Sequence, residues 1–149
     1  MQFIELNEPD YPWDLLLDAD PSRELIKKWL ARGTCIGMYD DEELVGEFVL
    51  SWTGDQEAEP ANLAVRSDRR GQCIGKRLIY ECTRRARIAG ARSMYVGTGN
   101  ASIGQLALYQ KCGFRIVGVD IDFFVRNYDE PIEENGIPCR DMIRMRMDL

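Results

Sequence analysis

The chain has 149 residues, 45% apolar and 30% charged, with a net charge of −6 and no histidine. This length suits one hydrophobic core, so residues 1–149 are read as a single domain, and no apolar run approaches the roughly 20 residues that a membrane-spanning helix needs. The missing histidine excludes Ser-His and Cys-His nucleophilic machinery and imidazole metal sites, so no metal is expected and proton transfer falls to Glu, Asp, Tyr, Cys or Lys.

In chain order, QFIEL reads as a short strand. EPDYPWDLLLD and DPSRELIKKWLARG read as helices, the second with Asp20 as N-cap, Pro21 at its first position and Gly33 past its end. TCIGMYD and ELVGEFVLSW flank the turn residues Asp40 to Glu43 and predict a hairpin. EAEPANLAV is a further strand in which Pro60 removes one ladder donor, which points to an edge, a bulge or a local splay. GKRLIYECTRRARIA then sets Leu78, Ile79, Cys82, Ala86 and Ala89 close to one helical face, with Gly90 as its stop. ARSMYVGT follows as a strand, SIGQLALYQKCG as a helix ending at Gly113, and FRIVGVDIDFFV as one strand. NYDEPIEENGIP reads as a polar loop, and CRDMIRMRM closes the chain as a strand. The result is a mixed α/β or α+β sandwich.

Charge is segregated along this order. Residues 66–92 hold 9 Lys/Arg against 2 acids, which leaves 10 against 23 elsewhere. A basic island in an acidic chain suits a compact phosphorylated molecule better than a long nucleic acid, so no nucleic-acid partner is expected. The five cysteines are odd in number and lack C-x-x-C spacing, which argues against disulfide frameworks and zinc knuckles. The N-terminal residues show neither the basic flank nor the apolar core of a secretory signal. A cytoplasmic setting without membrane contact is the expectation.

The island opens on DRRGQCIGKRL, where a strand gives way to a glycine-bearing loop and a helix. Backbone N–H groups at such a helix mouth, aided by the helix dipole, can hold a pyrophosphate. Gly71 and Gly75 lie four apart and Arg77 follows Lys76, so this is not the G-x-x-x-x-G-K-S/T loop of a nucleoside triphosphatase. A turn under a solvated helix end would use the same residues. A second cluster, Gly97-x-Gly99 followed by a helix, a strand and Asp120, outlines a dinucleotide fold. Ser102 occupies its third glycine position, however, and only 29 residues follow Asp120, too few to finish one doubly wound half.

Over residues 57–119 the chain resembles the GNAT superfamily of acyl-CoA-dependent N-acyltransferases. The family's phosphate signature, Q/R-x-x-G-x-G/A, falls on Arg70, Gly71, Gln72, Cys73, Ile74 and Gly75. Its later signature, L-Y-x-K-x-G-F, falls on Leu108 to Phe114. The resemblance implies a mixed, mostly antiparallel sheet with a splayed central parallel strand pair and helices on both faces. It implies acetyl-CoA as co-substrate, with pantetheine along Asn62, Leu63, Ala64 and Val65 and pyrophosphate on the N–H groups of Arg70 to Lys76. Arg or Lys near the loop would take the 3′-phosphate.

Two positions depart from the pattern. Cys73 stands where the family prefers glycine, so its Cβ must point away or push the cofactor outward. Ser102 stands where many members have Asn, and Asn100 is close enough to supply the amide instead.

The same resemblance implies that Tyr109 protonates the leaving thiolate and that Glu59 takes the proton of the attacking amine, with Glu57 and Asp55 as fallback bases. A backbone N–H near Val65 would polarise the thioester carbonyl. The implied reaction moves acetyl from acetyl-CoA to a primary amine by direct attack in a ternary complex. The alternative is a CoA-binding sensor or interaction domain without turnover. The acceptor is expected to be a small-molecule or peptide amine. It would be cationic if the acids Asp10, Asp14, Asp18, Asp20, Asp129, Glu130, Glu133 and Glu134 line its site. Pairing through terminal strands into a homodimer is also implied by the family.

Overall fold

The computed structural model describes residues 1–149. In chain order the elements are β1 (Gln2–Leu6), α1 (Trp13–Ala19), α2 (Arg23–Ala31), β2 (Thr34–Asp40), β3 (Glu43–Gly54), β4 (Glu57–Val65), α3 (Ile74–Ile88), β5 (Ser93–Gly99) and α4 (Ile103–Lys111). They continue with β6 (Arg115–Asp120), α5 (Phe123–Asn127), β7 (Ile132–Glu134), β8 (Ile137–Cys139) and β9 (Met142–Asp148). Seven strands form one sheet in the order β1-β2-β3-β4-β5-β9-β6, and β7 and β8 form a separate small hairpin. Every neighbouring pair is antiparallel except β4 and β5.

Alternation along the strands divides the core in two. One face carries Ile36, Met38, Phe48, Leu50, Leu63, Met94, Val96 and Met145 against the buried side of α3, made of Ile74, Leu78, Ile79, Cys82 and Ala86, with α4 adding Tyr109. The other face carries Leu6, Cys35 and Val49 under Leu16 of α1 and Ile26 of α2. Each fully buried aliphatic side chain here stabilises the fold by about 1.5–3 kcal/mol. Gly75 lets the first turn of α3 approach α4, since a Cβ there would stand 2.9 Å from Leu108 Cδ2.

Four expectations need correction. The first helix begins only at Trp13, because Asp10 N–H closes a turn on Asn7 O at 2.7 Å before it. The second is capped by Ser22, whose Oγ accepts from Leu25 N at 3.3 Å, while Asp20 accepts from Ser22 N at 2.9 Å one step upstream. Pro21 therefore precedes the cap. The predicted strand over FRIVGVDIDFFV stops at Asp120, where Asp122 turns to φ 62° with its N–H held by Asp141 Oδ1, and α5 follows. The loop over NYDEPIEENGIP contains the β7–β8 hairpin, turning on Asn135 and Gly136, both at positive φ. Pro60 lies in a central strand. Its neighbour Ala61 is skipped in the register, so that Val49 faces Asn62 and Leu50 faces Pro60.

One core residue is unexpected. Glu47, in the middle of β3, is fully buried, and neither carboxylate oxygen has a hydrogen-bond partner. Gly37 of β2 and Ala64 of β4 face it across the ladder and leave room for its side chain. Burial holds its pKa well above the ordinary carboxylate value. The folded chain therefore keeps a proton that the unfolded chain releases, and this contribution to stability is lost as pH rises from the ordinary carboxylate range through the raised folded value. Glu47→Gln should flatten that decline. Its stability relative to the parent should rise steadily with pH, measured by denaturant unfolding across pH 4–9.

Candidate active site

The site begins where the sheet opens. β4 and β5 pair only at Glu57 with Ser93 and at Ala58 with Met94; from Glu59 onward β4 keeps β3 but has no partner on its other side. Arg66 N–H bonds Val45 O at 2.9 Å. Strict antiparallel alternation then turns Asn62 and Ala64 toward β3 and leaves the N–H and C=O groups of Leu63 and Val65 facing the opening. The Asn62 side chain donates to Leu16 O at 3.0 Å and ties β4 to α1.

At the upper end of the opening, β4 runs through a short 3-10 turn (Ser67–Arg69) and the segment Arg70 to Cys73 into α3. Gly71 and Cys73 both take left-handed backbone, at φ 77° and 61°. The first bond of α3 is Arg77 N–H to Cys73 O, and no side chain caps the helix. The N–H groups of Ile74, Gly75 and Lys76 thus point outward unsatisfied, at the positive end of a dipole with no acid in its first turn. This is a fit for the diphosphate of a CoA thioester. Gln72 presents only its backbone, since its Oε1 accepts from Arg69 Nε at 3.2 Å. Arg69 is itself clamped by Asp40 and Glu43. Lys76 and Arg77 are exposed on the helix and free to meet a further phosphate.

Glu59 and Tyr109 lie on opposite faces of the sheet. Ala58 lies on the α3 face, so Glu59 lies on the α1/α2 face beside the first unpaired position. Burial raises its pKa to about 7, against the pull of Arg144 and Arg32. Tyr109 comes from α4, packs edge-on to Phe114 at 5.5 Å and is buried. Burial, then Cys82, Glu47 and Glu59, push its phenol above the ordinary value, so it holds its proton throughout the physiological range. Glu57 accepts from Thr53 Oγ1 in the β3–β4 hairpin and Asp55 is exposed at its tip, so neither faces the opening.

Asn100 is used structurally. Its Oδ1 accepts from Arg140 N at 2.8 Å and Asp141 N at 3.0 Å, and its Nδ2 donates to Pro138 O at 3.1 Å. This stitches the end of β5 to the β8–β9 connection. Ser102 Oγ donates to Glu134 at 3.2 Å. Several acids expected to line an acceptor site are also engaged: Asp14 with Arg66, Asp18 with Arg70, and Asp20 with Tyr128 Oη and Ser22 N.

Sequence reasoning missed Glu47, Arg32 and Arg144 as neighbours of the site. A single acid inside the apolar run VGEFVL was a usable signal for Glu47. Nothing local marked the two arginines.

A sheet parted at its one parallel pair, with a bare helix mouth at the head of the gap, has the architecture of an acyl-CoA-dependent transferase. The family model described as Acetyltransferase (GNAT) family matches residues 1–114, and the chain belongs to that family. It is 48% identical over 148 residues to the uncharacterized N-acetyltransferase YvbK of Bacillus subtilis strain 168, covering 98% of this chain and 96% of that one. A GNAT family acetyltransferase from Elizabethkingia anophelis with acetyl-CoA bound superposes with a TM-score of 0.96 at 40% identity, covering 99% and 97% of the two chains. A Bacillus subtilis acetyltransferase in complex with CoA gives 0.94 at 46% identity, covering 99% and 98%.

Cys73 sits in the helix mouth with its side chain exposed and its backbone in the strained left-handed region. Cys73→Gly removes a left-handed penalty of about 1–2 kcal/mol and adds unfolded-state entropy worth about 0.4–1 kcal/mol. The variant should gain about 0.5–1 kcal/mol, read as a higher denaturation midpoint, with CoA affinity at least retained in calorimetry.

Proposed function

We propose that this protein is an N-acetyltransferase that moves acetyl from acetyl-CoA to a primary amine by direct attack within a ternary complex. The observation that carries the reading is the parting of β4 from β5 after Ala58, with Glu59 on one face of the sheet there and Tyr109 among the buried residues of the other. The relatives with acetyl-CoA or CoA bound support the donor.

In this reading the unsatisfied N–H groups of Ile74, Gly75 and Lys76 hold the diphosphate, and exposed Lys76 or Arg77 meets the 3′-phosphate. Leu63 and Val65 offer their free backbone groups to the amides of the pantetheine arm. The acceptor amine enters over Glu59, which removes a proton so that the nitrogen lone pair can attack the thioester carbonyl. The Val65 N–H stabilises the oxyanion that forms. The new C–N bond is kept as the C–S bond breaks, and Tyr109 gives its proton to the departing sulfur. A carboxylate with a pKa near 7 is well matched to the first transfer, and a phenol that is never ionised beforehand to the last. All five cysteines are unpaired, which supports a reducing, cytoplasmic setting. The open edge of β6, where Ile116, Val117 and Val119 are each more than half exposed, supports pairing of two copies along that strand.

Two experiments test the mechanism. Tyr109→Phe should bind acetyl-CoA as the parent does yet lose about 100-fold in kcat; undiminished turnover removes the phenol from the reaction. For the base, kcat/KM should rise with pH through a limb near 7, because the ionised form of Glu59 is the active one. Glu59→Gln should abolish that limb and lower the plateau by about 100-fold or more, as followed by thiol release from pH 5.5 to 9.

A further inference from the structure

The face of the sheet that would receive the acceptor is covered by α1 and α2 over β1 to β4. Beyond them it continues across β5, β9 and β6. Met94, Val96 and Met145 point to the α3 side, so Tyr95, Gly97, Arg144 and Arg146 point to this one, together with Glu59. Arg144 stands in register between Gly97 of β5 and Gly118 of β6, and neither neighbour sets a side chain beside it. Its guanidinium lies over the Phe123 ring at 5.9 Å.

Arg32 closes in from the opposite wall. It ends α2, and the following Gly33 is pressed onto the Leu50 carbonyl of β3, next to Ser51, which pairs with Glu59. The Arg32 guanidinium lies over the Trp29 ring at 5.4 Å. Arg144 shares the sheet face of Glu59 and Arg32 follows the helix packed over it, and both are near enough to act electrostatically on that carboxylate.

These two charges are poorly compensated. Asp122 is paired with Arg140 at 3.0 Å, and Asp120 with Arg126 at 2.7 Å, so the 3.6 Å approach of Arg144 to Asp120 shares an anion already taken. Arg32 rests on its tryptophan without an ion pair. The acids nearer the phosphate loop are held by Arg66 and Arg70. A polycation entering this cleft meets two guanidinium groups beside the base. A flat guanidinium already stacked on an aromatic ring instead presents its N–H edge to a planar anion at little further entropy cost.

We propose that the acceptor is an amine that also carries a carboxylate, as an amino acid or a peptide with a free C-terminus does, with Arg144 and Arg32 holding the carboxylate while the amine turns to Glu59. This rests on the acetyltransferase reading and narrows its substrate.

The test measures acetyl-CoA-dependent thiol release with matched acceptors: free amino acids and their amides, dipeptides and their C-terminal amides, and a polyamine. Acids should exceed their amides by about tenfold or more in kcat/KM, the scale of one charge-assisted contact. Arg144→Gln and Arg32→Gln should each raise the KM for the acid and erase the preference, and far-UV circular dichroism would establish that both exposed-site variants fold. Free amino acids and dipeptides, compared with each other, tell which source of the carboxylate fits. Equal turnover of acids and amides, or preference for the polyamine, overturns the inference and leaves the acetyltransferase reading in place. Should no amine release thiol, that reading fails, and calorimetry on the CoA-saturated protein decides the inference alone. Saturable binding of N-acetyl amino acids, lost in Arg144→Gln and absent for the corresponding amides, upholds the carboxylate site; no binding overturns it.

Discussion

Everything in this molecule that bears on chemistry follows from two strands that separate after two rungs. Parallel neighbours in a central sheet normally satisfy each other to the end, because an unpaired backbone amide shielded from water costs about as much as a lost hydrogen bond. Here β4 leaves β5 after Ala58, and the irregular register at Ala61 and Pro60 redirects it. The sheet is not weakened elsewhere, since β3 holds β4 along its length on the other side. The cost falls on one narrow opening whose free groups are those that an amide-bearing ligand arm would satisfy.

Electrostatics reinforces that opening. The basic island does not form a diffuse positive surface: Arg66, Arg69 and Arg70 are bound to Asp14, Asp40, Glu43 and Asp18. These pairs tie the phosphate loop to α1 and to the β2–β3 turn, with exposed geometry that contributes little energy but fixes position. What remains is local: helix-mouth amides without partners, Arg32 without an ion pair, and Arg144 sharing Asp120 with Arg126. Two buried or half-buried carboxylates, Glu47 and Glu59, sit between these poles with raised pKa values. Glu47, kept neutral by burial and without a hydrogen-bond partner, is a polar group whose desolvation the rest of the core must offset.

The parts of the fold legible from residues alone are those governed by short-range rules. α3 and α4 declared themselves by apolar spacing and by the stops at Gly90 and Gly113, both at positive φ. The hairpin of β2 and β3 followed from its turn residues, and the loop before α3 from its glycines between a strand and a helix. Pro60 signalled that β4 would be irregular. The misses were of another kind. DIDFFV has strand composition, but Asp141, about twenty residues away in sequence, captures the Asp122 N–H and turns the chain into α5. Asp20 looked like a cap as readily as Ser22 does, and the two differ by a single hydrogen bond.

The sequence by itself determined the class of fold and the family, because spacing, turn chemistry and two signatures at fixed separation are properties of neighbouring residues, and the resemblance those signatures carry nominated Glu59 and Tyr109. Tertiary structure alone decided what surrounds them. Asn100 became a staple for the β8–β9 connection, Glu47 came to lie without a partner, and Arg32 and Arg144, 112 positions apart, came to act on one carboxylate. Those outcomes depend on strand register across a sheet, where a one-residue slip would turn each side chain to the opposite face, and no local pattern encodes which distant strand supplies the neighbour.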